Sequence, residues 1–172
     1  EYVLDEGGLI SFDPNVRLPL WSSPEACRTA ILEFLPFAHV IKISDEELEF
    51  ITGETNIAVA QEKLFTGNVE MIIYTKGGEG AEVFTKTKHV TIPGNVVKVM
   101  DTTGAGDSFI GSFLYELGRD HVSVNDIKSL SEETLREYLS FANDYAGYST
   151  LGKGAIASYA TLEEITKFRS EK

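Results

Sequence analysis

From Val99 to Phe109 the sequence reads Val-Met-Asp-Thr-Thr-Gly-Ala-Gly-Asp-Ser-Phe, and these residue types suit chemistry at an anion. Gly104 and Gly106 permit a tight backbone turn with successive N–H groups aimed at one spot. A helix beginning just after them adds the positive end of its dipole. Such a nest accepts phosphate. Asp107 then stands out, because a carboxylate beside an anion site costs Coulomb energy unless a base is needed next to the charge being stabilised. Phosphoryl transfer needs that pairing: the carboxylate takes the proton of an attacking hydroxyl, and the amides of Gly104, Ala105 and Gly106 hold the charge on the group in transit. The alternative is that Asp107 only caps a helix over 108–117, whose Phe109, Phe113, Leu114 and Leu117 give it an apolar face. Spacing alone leaves both open, since short glycine motifs recur widely.

The elements that must position this stretch are marked along the chain. Leu9-Ile10-Ser11-Phe12 is an apolar run ending at Asp13-Pro14-Asn15, which reads as a buried strand entering a turn. Ser23-Pro24-Glu25 starts a helix whose Ala26, Ala30, Ile31 and Phe34 are expected on one face. Val40-Ile41-Lys42-Ile43 is a second strand, followed by a capping box from Ser44 to Glu47 and a short helix closed by Gly53. Met71-Ile72-Ile73-Tyr74-Thr75 is a third. The glycines of Lys76-Gly77-Gly78-Glu79-Gly80 do not form a dinucleotide fingerprint, because Ala81-Glu82-Val83-Phe84-Thr85 continues as strand where a helix is required. A tight hairpin is expected there. A further strand pair is expected over 89–99 around Pro93-Gly94, with His89 solvated. Leu135, Tyr138, Leu139, Ala142, Tyr145 and Ala146 recur at helical spacing. Gly147 to Gly154 imitates a P-loop but lacks Ser or Thr after Lys153 and follows a helix, so it is not one. Thr161-Leu162-Glu163-Glu164 opens a last helix. Strands alternating with helices predict an α/β layered fold with a mainly parallel sheet and its site at the carboxyl ends of the strands.

Composition narrows the partners. A chain of 172 residues, 42% hydrophobic, supports one ordinary core. Fifteen Lys and Arg against 27 Asp and Glu give a net charge of -12, which argues against nucleic acid or an anionic membrane as partner. Cys27 is the single cysteine, so no internal disulfide framework exists and a reducing cytoplasm is the expected location. No signal peptide or membrane span is visible.

Asp101-Thr102-Thr103-Gly104-Ala105-Gly106-Asp107-Ser108-Phe109 resembles the C-terminal signature of the ribokinase-like (PfkB) carbohydrate kinases, and with Phe12-Asp13-Pro14-Asn15-Val16-Arg17 it is most similar to the fructokinase branch. The resemblance runs motif by motif over nearly the whole chain and begins in the middle of the family pattern. It implies a three-layer α/β/α fold, here the nucleotide-binding and catalytic C-terminal part of a kinase whose N-terminal part carries the sugar site and lid. It implies ATP as phosphoryl donor, Mg2+, a small sugar as acceptor (fructose first, with 2-keto-3-deoxygluconate, ribose or a nucleoside as alternatives) and a homodimer of the full-length protein as an option. A non-catalytic kinase-like interaction protein is the rival from another class. Residue by residue, the resemblance puts Asp107 as base and Arg17 at the active-site edge, where it meets a phosphate or substrate oxygens unless it forms a surface ion pair. It puts Ser44, Thr75, Gly77, Gly80 and Gly106 along the nucleotide, and Asn143 at the adenine ring. The family carries Asn-x-x-Glu where this chain has Ser44 and Glu47; the retained Glu47 is assigned to the magnesium shell. Finally, it implies a monovalent cation, K+, among Asp101, Thr103, Ser149, Gly152, Gly154 and Ser158.

Overall fold

The computed structural model describes residue 3 and residues 6–172. Five strands form one sheet: β1 (Ser11–Phe12), β2 (Val40–Ser44), β3 (Met71–Thr75), β4 (Gly80–Thr85) and β5 (His89–Pro93), side by side in chain order. β1, β2 and β3 are mutually parallel, β4 is antiparallel to β3, and β5 is antiparallel to β4. Four of the five strands therefore run one way, as a mainly parallel sheet requires. The helices are α1 (Pro24–Phe34), α2 (Asp45–Thr52), α3 (Ile57–Leu64), α4 (Ala105–Arg119), α5 (Glu132–Ser149) and α6 (Leu162–Ser170).

Period-two alternation sends neighbouring strand residues to opposite faces. Val40, Met71, Ile73, Ala81 and Val83 meet Phe109, Phe113 and Leu117 of α4 and Leu135, Tyr138 and Leu139 of α5. Ile41, Ile43, Ile72, Tyr74 and Phe84 meet Ile31 of α1, Leu48 and Ile51 of α2 and Leu64 of α3. The result is the three-layer α/β/α arrangement. Local sequence sets the helix starts: Ser23 Oγ accepts from the Ala26 amide at 3.1 Å, Asn56 Oδ1 from Ala58 at 2.9 Å and Ser131 Oγ from Thr134 at 3.0 Å. Gly53, at φ 74°, ends α2 in the left-handed conformation.

Three sequence expectations need correction. The inward stripe of α1 is Cys27 and Ile31, continued by Leu35, whereas Phe34 is 63% exposed. One step along a helix turns a side chain by about 100°, so Phe34 and Leu35 cannot share that stripe. The strand pair expected over 89–99 is a single strand, β5, which ends at Pro93. Gly94 packs so tightly on the hairpin that an added Cβ would lie 2.0 Å from the Gly78 carbonyl oxygen, and the chain then leaves the sheet toward α5. His89 is exposed, as expected, and its ring also stacks on Phe84 with centroids 4.1 Å apart while Nε2 lies 2.5 Å from Glu82. α4 also begins earlier than expected, at Ala105. β1 is short, but His39 extends its hold on β2: the buried His39 Nδ1 accepts from the Ile10 amide at 3.0 Å while the His39 backbone N–H donates to the Ile10 carbonyl. Burial holds the imidazole below its ordinary pKa against the opposing pull of Glu70, which suits its role as an acceptor.

Candidate functional site

The carboxyl ends of the parallel strands supply one wall. Asp13 follows β1, Ser44 ends β2 and Thr75 ends β3, with Ser44 and Thr75 paired in register. The turn 101–104 and the first residues of α4 come over these ends. A cleft of about 230 Å³, partly open to solvent, lies there, lined by Thr75, Gly77 and Gly80 from the hairpin, Thr102, Ala105 and Gly106 from the turn and the start of α4, and Asn143, Ala146 and Gly147 from α5. Val97, Val99 and Phe109 make much of the lining apolar. A concave, mostly apolar cleft with a few polar groups is the usual form of a small-molecule site. Six candidates that the sequence scatters over 69 positions, Thr75, Gly77, Gly80, Ala105, Gly106 and Asn143, thus share one cleft; Ser44 does not line it.

Asn143 is fixed in that wall. Its side-chain amide donates to the Pro93 carbonyl at 3.2 Å, and Asn95 Nδ2 donates to the Asn143 carbonyl at 2.9 Å and to Asp144 Oδ1 at 3.1 Å. Asp144 also accepts from Arg169 at 2.9 Å and pairs with Lys172. α6 is thereby pinned to the rim of the cleft through charged hydrogen bonds.

Gly104 sits at φ 80° as the cap of α4, a conformation that costs a residue with a Cβ but not glycine. Its carbonyl accepts from Tyr159 Oη at 3.2 Å. Asp101 fastens the turn to the loop over residues 149–158: Oδ1 accepts from the Thr103 hydroxyl at 2.7 Å and amide at 2.9 Å, and Oδ2 accepts from the Gly154 amide at 2.9 Å. These bonds, the Thr103 hydroxyl foremost, hold the Asp101 carboxyl down at about 2. Ser149 and Ser158 turn their hydroxyls elsewhere. Ser149 Oγ meets Ser108 Oγ at 3.1 Å, and Ser158 Oγ donates to the Gly154 and Ala155 carbonyls. Gly152 is close-packed against the Ser158 Cβ.

Asp107 lies in the first turn of α4, but Gly104 is the cap, so the helix does not need Asp107 for that purpose. The carboxylate is exposed and lines a second hollow, with Ser108, Gly111, Tyr115, Tyr145 and Tyr159, that shares no lining residue with the cleft. Its charge helps to raise the Tyr159 pKa, after burial of that ring. Arg17 is exposed, and its guanidinium donates to the Val16 carbonyl at 3.0 Å; no ion pair to it occurs among the described residues. Glu47 is buried and heavily used. Oε1 accepts from the Val16 amide at 2.7 Å, and Oε2 accepts from the Ser44 amide and hydroxyl, both at 3.0 Å. The capping box is therefore real, and it also ties the 13–17 turn to the start of α2. Asn15, at φ 45°, makes that turn in a conformation asparagine tolerates.

Lys42 escaped the sequence reading. It is 6% exposed, and its ammonium pairs with Asp13 at 3.1 Å. The signal was a charged residue inside an otherwise apolar strand, where isolated lysines are rare. Burial raises the Asp13 carboxyl, with the Lys42 charge and hydrogen bond pulling against it.

Comparison with known proteins agrees with this geometry. The chain is 40% identical over 169 residues to probable fructokinase-5 of Arabidopsis thaliana, covering 98% of the chain and 51% of that protein. It is 41% identical over 157 residues to fructokinase-2 of Zea mays, covering 91% and 45%. The chain thus spans about half the length of the curated relatives it matches. Among solved structures, the fructokinase of Vibrio cholerae O395 with bound fructose, ADP and calcium ion superposes with a TM-score of 0.84 at 31% identity, over 96% of this chain and 52% of that one. A double mutant of the same enzyme, with fructose, ADP and potassium ion, superposes equally well. Residues 2–162 match the model of the pfkB family carbohydrate kinases, and the chain belongs to that family.

Proposed function

We propose that this chain is the nucleotide-binding and catalytic part of an ATP-dependent sugar kinase that transfers the γ-phosphoryl group to a primary hydroxyl, with fructose as acceptor. The observation that carries this reading is the division of space at the start of α4: Ala105 and Gly106 line the cleft, while the next residue, Asp107, opens into a separate hollow. A phosphoryl donor in the cleft and an acceptor hydroxyl beside Asp107 would then meet at the same turn from two separate hollows, which brings the two reactants together at the start of α4. Asp107 takes the hydroxyl proton. The amides of Gly104 and Gly106 receive the charge on the transferring group, and the positive end of the 15-residue α4 reinforces them; the expected Ala105 amide instead donates to the Thr102 carbonyl at 3.1 Å. Thr75, Gly77 and Gly80 run along the nucleotide, Asn143 faces its base, and Arg17, which has no carboxylate partner among the described residues, meets phosphate or substrate oxygens.

Metal ions fit this arrangement indirectly. Glu47 already accepts three hydrogen bonds, so its carboxylate suits the outer shell of a Mg2+ through water. Ser44, whose hydroxyl is bound to Glu47, belongs to the same support. No cluster of three or more His, Cys, Asp or Glu occurs among the described residues, so a monovalent ion such as K+ in the clasp of Asp101, Thr103 and residues 149–158 would draw mainly on carbonyl oxygens. Such an ion neutralises charge beside the nest. The remainder of the sugar site and its lid lies outside this chain in the proposal.

The test is Asp107→Asn in the full-length protein, with MgATP and fructose, ribose or 2-keto-3-deoxygluconate as acceptor. Expected are turnover with fructose, a loss of about 10²-fold or more in kcat for the variant, and calorimetric MgATP binding close to wild type. Near-normal turnover of Asp107→Asn refutes the base assignment, and preferential turnover of another acceptor replaces the substrate.

A further inference from the structure

Lys42 carries more than its place in a strand explains. Its ammonium and the Asp13 carboxylate are both largely withdrawn from water, with side chains 8% and 15% accessible. A buried ion pair is a poor device for stability, since two apolar side chains of similar volume generally do as well or better. The position of the ammonium supplies another reason. A Cβ built on Gly106 falls 3.2 Å from Lys42 Nζ, with the Lys42 Cε as its other close neighbour. The lysine head therefore lies directly against the second glycine of the nest. An ammonium has three donors, and a single carboxylate on one side does not use them all.

We infer that Lys42 is a positioning residue of the phosphate site: Asp13 holds its ammonium against Gly106, so that a fixed positive charge underlies the turn that receives the polyphosphate. The charge reaches the turn from the sheet, opposite to the solvent, where screening is weak. A point charge suits that place, and a side chain at position 106 would displace it. Gly106 is thus glycine for the lysine as well as for the nucleotide. The inference deepens the nucleotide reading above and rests on it.

Three variants of the full-length protein test it: Lys42→Met, Lys42→Arg, and Lys42→Met combined with Asp13→Asn, which leaves no unpaired buried charge. Calorimetry with MgATP and with AMP separates the polyphosphate from the base and ribose. The double variant is expected to unfold at a temperature near wild type, to bind AMP within about twofold, and to bind MgATP at least about tenfold more weakly. Lys42→Arg, which keeps the charge, is expected to recover most of that loss. If the double variant binds MgATP like wild type, or if AMP and MgATP weaken equally, Lys42 is a packing residue and the inference fails. It also fails if Lys42→Arg is no better than Lys42→Met. A wild type that binds no MgATP overturns the nucleotide reading itself and this inference with it.

Discussion

Gly104→Ala isolates the geometry of the nest from its chemistry. At φ 80° any residue with a Cβ is strained by about 1–2 kcal/mol. Here the Cβ would also lie 2.7 Å from the Ala155 Cβ, 2.8 Å from Tyr159 Oη and 3.2 Å from the Ala155 Cα. Ala155 offers no flexible tip to swing aside, so relief requires movement of the loop that Asp101 holds, at an overpacking cost of about 1–3 kcal/mol. The expected destabilisation is about 2–5 kcal/mol. Gly53 is the control: φ is 74°, almost the same, but nothing lies within 4 Å of a Cβ there. Gly53→Ala should cost only the backbone part, about 1–2 kcal/mol. Equilibrium urea unfolding of both variants beside wild type measures the difference, which is the packing contribution. Tyr159→Phe removes one of the crowded atoms, so combining it with Gly104→Ala should give a coupling of at least about 0.5 kcal/mol. If Gly104→Ala costs no more than Gly53→Ala, the close packing of the 155–159 loop on the nest is refuted.

Two further outcomes follow from the same structure. The Asp101 carboxylate, drawn down by its hydrogen bonds, should titrate near 2, against about 3.9 for an ordinary aspartate. Because the folded value is the lower one, its contribution to stability is complete above about 3.9 and is lost as the pH falls through about 2. Carboxyl carbon NMR checks this, and a midpoint near 3.9 would dissolve the clasp. In α1, Ile31→Ala should cost about 2–5 kcal/mol, whereas Phe34→Ala, at a residue 63% exposed, should stay within about 0.5 kcal/mol. Comparable losses in urea unfolding would mean that the face of α1 has been misassigned.

Much of this architecture was legible because local signals agreed with the tertiary result. Val40 to Ile43 and Met71 to Tyr74 are apolar runs too short for a helix, and both are fully buried strands. Ser44 and Glu47 announced a helix start, and the structure has one. What stayed hidden depended on distant neighbours. Cys27 looked less apolar than Phe34, yet the register of α1 on the sheet decides burial, and it favours Cys27. The extended run after Pro93 has strand-like composition, but Asn95 is drawn toward Asn143 and Asp144, residues 48 and 49 positions away. Lys42 reads as a flaw in a strand until Asp13 and Gly106 are seen around it. Of the site, the glycine turn that runs into a helix with Asp107 in its first turn was readable from spacing, whereas the shared cleft of Thr75, Gly80, Gly106 and Asn143 is a product of topology.

Glycines in a loop over a cleft usually suggest a flap. The hairpin between β3 and β4 is the opposite. A Cβ on Gly80 would lie 2.2 Å from the Ile92 carbonyl oxygen and 2.6 Å from the Gly94 amide nitrogen, and one on Gly94 would lie 2.0 Å from the Gly78 carbonyl oxygen. Backbone rests on backbone, so the glycines buy contact rather than freedom. The hairpin tip, the end of β5 and the segment leading to Asn95 form a single stiff bracket. When a ligand enters, the bracket is the fixed jaw of the cleft. The facing side is tied differently: Thr150, at the end of α5, accepts main-chain hydrogen bonds from Met100 and Asp101, and the Asp101 side chain holds the loop beyond it at the Gly154 amide.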